Sequence, residues 1–211
     1  MLKAEELETA EQCNNHCCNH SKVESNVKRE KIQLIIGPMF ARKTSTMIGE
    51  IERAMIAKKP CLIIKHAVDT RYDHKTSNVA IVTHNGKIFN DCPIVTADCL
   101  ANVNNDIVVA SHSIAISEGQ FYNDIVEYAN KWADMGKHII IEGLNGDYKQ
   151  QSFKPIADLI PYADDILHLK AICMKCLCND ASFTIRLSSD SEQIKIGSDD
   201  IYQAVCRNCY K

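Results

Sequence analysis

The stretch that decides the fold is Ile32-Gln33-Leu34-Ile35-Ile36-Gly37-Pro38-Met39-Phe40-Ala41-Arg42-Lys43-Thr44. Its first five residues are apolar and rich in β-branched side chains, which reads as a buried strand stopped by Gly37-Pro38. From Thr44 to Lys59 the residues Met47, Ile48, Ile51, Ala54 and Met55 recur at mostly helical spacing, and Pro60 closes the segment. A strand, a glycine-led loop and a helix opening on Lys43-Thr44 follow the order of a phosphate-binding loop. In such a loop, backbone N–H groups and the helix N-terminus meet anionic oxygens, the lysine neutralises charge, and the hydroxyl faces Mg²⁺. The pattern G-x-x-x-x-G-K-[ST] is incomplete, because Arg42 stands where the second glycine belongs. Read alone, the segment also fits a plain strand-to-helix turn with an incidental Lys-Thr.

Working outward, strands are expected at Cys61 to Lys65, over Ile107 to Ile116, and at His138 to Ile141. A helix is expected at Asn123 to Met135, ended by Gly136. Strand and helix in alternation predict an α/β fold, a mostly parallel P-loop sheet with flanking helices. Beyond about residue 170 the texture changes to short alternating segments, Ser182 to Leu187 and Gln193 to Ile196, between cysteine pairs. The expected division is a leader over 1–30, a P-loop α/β domain over 31–170 and a small β module over 171–211.

Cys173-Met174-Lys175-Cys176 and Cys206-Arg207-Asn208-Cys209 are two C-x-x-C pairs with 29 residues between them. Two thiolate pairs make a closed tetrahedral Cys₄ site, which is the pattern of structural Zn²⁺. The chain has 11 cysteines, an odd number, and its N-terminus lacks the apolar core of an export signal. Reduced thiols and metal in the cytoplasm are therefore expected rather than a disulfide framework. The leader also bunches Cys13, His16, Cys17, Cys18 and His20, without the paired spacing of a zinc module.

The 211 residues carry 24 basic and 27 acidic side chains, a formal charge of −3. That balance gives no reason to expect nucleic acid or a membrane surface as a partner. A second site follows the expected third strand: Ser117-Glu118-Gly119-Gln120-Phe121. Glu118 is its single carboxylate and a candidate base; read alone it is also a solvated turn. Ser117 stands where an aspartate would organise the metal.

These motifs, in this order, resemble the type II thymidine kinases of animal cytosol, many bacteria and poxviruses. The resemblance runs from about Ile32 to Tyr210. It is carried by Gly37-Pro38-Met39-Phe40, Asp69-Thr70-Arg71-Tyr72, Thr83-His84, Glu118-Gly119-Gln120-Phe121, Leu144-Asn145-Gly146, Lys154-Pro155, Ile196-Gly197, Tyr202 and the two cysteine pairs. It implies transfer of phosphate from ATP to the 5′-hydroxyl of thymidine, and of deoxyuridine, in deoxynucleotide salvage. Gly37, Pro38, Met39, Phe40, Ala41, Arg42, Lys43 and Thr44 would handle the ATP phosphates. Thr44 and Ser117 would sit by Mg²⁺, and Glu118 would take the hydroxyl proton. Asp69, Arg71, Gln120, Phe121, Leu144, Tyr148 and Tyr202 would surround the nucleoside. The zinc-held module would be a lasso over the base. The resemblance also implies a homotetramer inhibited by thymidine triphosphate.

Four positions depart from the family pattern: Arg42 for Gly, Ser117 for Asp, Asn145 for Asp and Lys170 for Thr. A second reading is thus a catalytically impaired protein that binds nucleoside or nucleotide beside an intact paralogue. A third, a zinc-ribbon interaction module on an unrelated P-loop domain, leaves Asp69-Thr70-Arg71-Tyr72 and Glu118-Gly119-Gln120-Phe121 without explanation.

Overall fold

In the computed structural model of the chain, residues 30–69, 80–83, 85–187 and 201–210 are described. The leader's cysteine and histidine bunch, Arg71, His84, Ile196 and Gly197 lie outside them. Six strands form one sheet: β1 (Ile32–Gly37), β2 (Cys61–His66), β5 (Ile94–Ala97), β6 (Ser113–Ile116), β7 (His138–Leu144) and β8 (Asp165–His168). Their order is β5-β2-β6-β7-β1-β8, and every pairing is parallel. The central strands read as unbroken apolar runs because helices cover both faces.

Alternation along each strand sorts these runs into two cores. Leu34, Ile36, Ile114, Ile116, Ile139 and Ile141 pack with Tyr122, Trp132 and Ile156 on one face. Ile35, Ile63, Ala115 and Ile140 pack on the other face with Met47, Ile48 and Ile51. Those last three come from helix α1 (Lys43–Ile56), whose buried stripe is the periodicity read from the sequence. Each such fully buried side chain contributes about 1.5–3 kcal/mol of transfer free energy. Helices α3 (Ile125–Asp134) and α4 (Lys154–Leu159) supply the first core.

The expected strand over Ile107 to Ile116 divides in two. Asn105–Ala110 is a helix, α2, and only Ser113–Ile116 is strand. The side chain of Asn104 accepts the backbone N–H of Asp106 at 2.8 Å, an N-cap that overrides the β-preference of Ile107, Val108 and Val109. The sequence reading also left out β5, β8, α4 and the hairpin of β3 (Ile81–Val82) and β4 (Ile88–Phe89). These short elements lack a strong period of their own. Among the described residues, no helix is long and apolar enough to cross a membrane.

After β8 the chain forms two small antiparallel ladders. β9 (Ala171–Ile172) pairs with β10 (Asp180–Ala181), and β11 (Phe183–Arg186) with β12 (Tyr202–Val205). They share a third core, in which Ala171, Cys173, Ala181, Ala204 and Val205 pack against Ala41, with Phe40 at its margin. The loop 37–42 and the cysteine module are therefore one packed unit.

Candidate active site

The loop 37–42 leaves β1 at the C-terminal end of the sheet, where parallel α/β folds collect their ligands. Gly37 is required there: a Cβ on it would lie 2.5 Å from the backbone oxygen of Leu169. Lys43 is the first residue of α1, nearly buried, and its Nζ donates to Pro38 O at 2.9 Å. Arg42 caps α1 in the left-handed region, φ 62° and ψ 24°, with its side chain exposed. That is the backbone region a glycine would favour, so the loop keeps the shape and the arginine bears a strain of about 1–2 kcal/mol. Phe40, at φ 65°, is a second left-handed residue in the same loop.

A pocket of about 160 Å³ opens over this loop, and its wall includes Arg42, Lys43, Thr44, Glu118, Glu142 and Leu144. Val82 and Asn85, from the β3–β4 hairpin, close one side. Thr83 is buried at the hairpin turn, where its hydroxyl oxygen accepts the backbone N–H of Lys87 at 3.0 Å.

Glu118 follows β6 in a left-handed conformation, φ 54°, at the entry to a 3-10 turn over Gly119–Phe121. A non-glycine residue held there stores strain that functional turns tolerate. Its carboxylate accepts the Gln120 amide at 2.5 Å, and Gln120 Oε1 in turn accepts the backbone N–H of Leu144 at 3.1 Å. Gln120 thus uses both ends of its buried carboxamide to hold Glu118. Gly143 makes room for it, since a Cβ there would lie 2.9 Å from Gln120 Oε1.

The residue that the sequence reading missed is Glu142, on β7 and only 1% exposed. Its Oε1 accepts the Ser117 hydroxyl at 2.9 Å, the Glu118 backbone N–H at 3.2 Å and the Thr44 hydroxyl at 3.4 Å. Burial pushes its carboxyl up to about 7; the Glu118 charge adds to this and Lys43 opposes it. The signal for it lay in the alternation of β7. Ile140 faces α1, so the residue two further on must face the N-terminus of α1. Ser117, two residues after Ala115, faces the same way.

The expected nucleoside residues divide into groups. Leu144 lines the phosphate-loop pocket. The ring of Phe121 lies 5.4 Å from that of His66, which also meets the edge of Tyr122 at 4.6 Å. Asp69 ends the turn after β2, its N–H donating to His66 O at 3.0 Å. Tyr148 and Tyr202 come together around Arg186, a residue not foreseen. The guanidinium lies 4.2 Å from the Tyr148 ring centre and donates to Tyr202 Oη at 2.6 Å. Lys170 is exposed and makes a 3.7 Å ion pair with Asp180.

The four expected metal ligands do converge. The Sγ atoms of Cys173, Cys176, Cys206 and Cys209 all lie within 4.8 Å of one another. Tetrahedral Zn–S bonds of about 2.3 Å would set the sulfurs roughly 3.8 Å apart, and Cys176 and Cys206 lie 3.9 Å apart. Asn179 Nδ2 donates to both of these sulfurs, at 3.5 and 3.9 Å, as an outer partner that orients thiolate ligands. The donor set, spacing and burial fit a structural Zn²⁺.

The family model for thymidine kinase matches residues 30–210. The chain belongs to the thymidine kinase family. Within that family it is 42% identical over 184 residues to a thymidine kinase of Acanthamoeba polyphaga mimivirus, covering 84% of this chain and 80% of the other. It is 40% identical over 179 residues to a vaccinia virus thymidine kinase, at 85% and 96% coverage. It is 37% identical over 182 residues to a chicken protein, "Thymidine kinase, cytosolic", at 86% and 77% coverage. Membership of the thymidine kinase family agrees with the parallel sheet and the cysteine cluster seen here.

Proposed function

We propose that this protein phosphorylates thymidine at its 5′-hydroxyl with ATP, in the cytoplasm, as a step of deoxynucleotide salvage. The observation that carries the reading is one pocket walled by Lys43 and Thr44 of a phosphate loop and by the anchored carboxylate of Glu118. The N–H groups of the loop and the N-terminus of α1 bind the phosphates. Lys43 offsets the charge that shifts from the γ-phosphate toward the leaving diphosphate, and Arg42 adds a second cation at the pocket rim.

Glu118 accepts the proton of the 5′-hydroxyl as its oxygen bonds to the γ-phosphorus, and the bond to the β-phosphate oxygen breaks to release ADP. Gln120 holds Glu118 for this transfer. The Thr44 hydroxyl, beside Ser117, would hold Mg²⁺, which would supply neutralisation of the phosphate charge. Asp69, Arg71, Gln120, Phe121, Leu144, Tyr148 and Tyr202 are assigned to the nucleoside side. Residues 171–211 act as a zinc-held lasso on the 31–170 kinase domain, with 1–30 as a leader. Deoxyuridine, which lacks only the 5-methyl group, is expected to be accepted, and the assembly is expected to be a homotetramer.

Transfer of labelled γ-phosphate from ATP to thymidine, abolished by Glu118→Gln, is the test. A loss of about 10²–10⁴-fold is expected for removal of a positioned base. The competing reading, a nucleotide-binding protein that pairs with an intact paralogue, rests on Arg42 and Ser117. It requires ATP to bind with no transfer in the wild type.

A further inference from the structure

We infer that Glu142 is the carboxylate that organises the divalent cation accompanying the nucleotide. It does from β7 what the neutral Ser117 cannot do from the end of β6. This rests on the phosphoryl-transfer reading of the pocket.

The sheet places the exchange within reach. β6 and β7 are neighbours in register, Ile116 opposite Ile141, so Glu142 stands beside Ser117 one step further on. On its other side it stands opposite Ile35, two residues before the phosphate loop begins at Gly37. A carboxylate at this point of either strand faces the start of α1. The Ser117 hydroxyl donates to Glu142 Oε1 at 2.9 Å, and the Thr44 hydroxyl donates to the same oxygen at 3.4 Å. A hydroxyl whose proton is engaged by a carboxylate turns its lone pairs elsewhere. Glu142 therefore fixes Thr44 in the orientation a cation ligand needs, as outer partners of metal ligands do.

The hydrogen bonds alone do not account for the charge, which Lys43 offsets only in part. The three bonds that end on Oε1 come from two hydroxyls and one backbone N–H, all neutral. Glutamine would accept the same three without burying an ionisable group at 1% exposure. A charged acceptor makes sense where a cation of high charge is to arrive, and an all-oxygen set of hydroxyl and carboxylate suits Mg²⁺. Glu142 is a positioning residue in this account, distinct from the base Glu118.

The test uses the full zinc-loaded chain and follows Mn²⁺ by electron paramagnetic resonance in the presence of ADP. ADP affinity without added divalent cation and a thermal melt are measured alongside. Glu142→Gln is expected to weaken Mn²⁺ binding in the ternary complex by about 10–100-fold. It should not weaken cation-free ADP binding, because it removes a negative charge beside the phosphates. Ser117→Ala, which keeps the Glu142 carboxylate, should weaken Mn²⁺ binding much less than Glu142→Gln does. Ser117→Asp/Glu142→Ala, which returns the carboxylate to β6, should recover most of the binding.

Mn²⁺ affinity unchanged in Glu142→Gln, or lost as deeply in Ser117→Ala, overturns the inference. If Glu142→Gln does not fold, the other two variants decide it. Should the pattern hold while no variant or wild type phosphorylates thymidine, the substrate reading fails and the role of Glu142 stands. A wild type that phosphorylates thymidine while Glu142→Gln keeps full Mn²⁺ affinity sinks the role of Glu142 alone.

Discussion

Thr184 Oγ1, on β11 of the cysteine module, accepts the backbone N–H of Met39 in the phosphate loop at 3.0 Å. The two residues are 145 positions apart, and Ala41, two residues on from Met39, shares a core with Cys173 and Cys206. The module thus braces the loop 37–42, the segment proposed to meet phosphate.

Metal removal should accordingly weaken both ligands. In Cys173→Ser, zinc content by atomic absorption should fall, and affinity for thymidine and for an ATP analogue should fall together. Thr184→Val, which keeps the metal, should weaken the ATP analogue by about 0.5–1.5 kcal/mol, the usual worth of one lost hydrogen bond. A metal-free, folded protein that still binds the ATP analogue at full strength would show that the brace is idle.

Arg42 sits at φ 62°, so Arg42→Gly should relieve strain at the N-terminus of α1. Against this stands the greater chain entropy of glycine when unfolded, leaving a net gain of about 0.5–1 kcal/mol. The melting temperature should rise by about 1–4 °C. Loss of the arginine charge should at the same time lower ATP affinity. A melting temperature that stays level or drops would refute the strain account.

Ser117→Asp, the change that restores the family pattern, should be harmful in this chain. The new carboxylate would arrive where the serine hydroxyl now donates to Glu142 at 2.9 Å. Two buried carboxylates in contact repel, and one must take up a proton. Turnover and thermal stability should both fall below wild type, and both should recover when Glu142→Ala is added. Faster turnover in Ser117→Asp alone would mean that the Ser117 position still governs the metal.

His66 is buried beneath Phe121 and Tyr122, and one ring nitrogen accepts the Val68 N–H at 3.1 Å. Burial lowers its pKa from 6.5; the backbone of Asp98 and the charges of Asp98, Asp69 and Glu118 only partly oppose this. His138 is lowered too, by burial and then by Lys31. As pH falls below 6.5 the unfolded chain takes up these protons first. The stability these two histidines contribute is therefore complete above pH 6.5 and declines below it, by up to about 1.4 kcal/mol per pH unit for each proton, while Glu142, whose pKa is raised, shifts stability the other way over the same range. In denaturant melts from pH 7 to 5, stability should fall by more in the wild type than in His66→Asn, which keeps Glu142 and His138. An equal fall in the variant would remove His66 from the account.

Much of this protein was legible from one dimension. The apolar run of β1, the spacing of Met47, Ile48 and Ile51, and the two cysteine pairs rest on local chemistry, and each took the form expected of it. Local chemistry also misled where two signals competed. Ile107 to Ala110 looked like strand, but a single Asn104 side chain, by satisfying one N–H, made it a helix.

What only the tertiary structure decided is how distant residues complete one another. Ser117 read alone is a lost carboxylate. Beside Glu142, 25 positions away, it is the donor to one. Arg186 joining Tyr148 to Tyr202, and Thr184 holding Met39, are likewise contacts with no trace in spacing or composition. Periodicity reports which face of an element is buried, because one element suffices to bury a stripe. Which two buried polar groups meet depends on strand order and register, and those belong to the whole sheet.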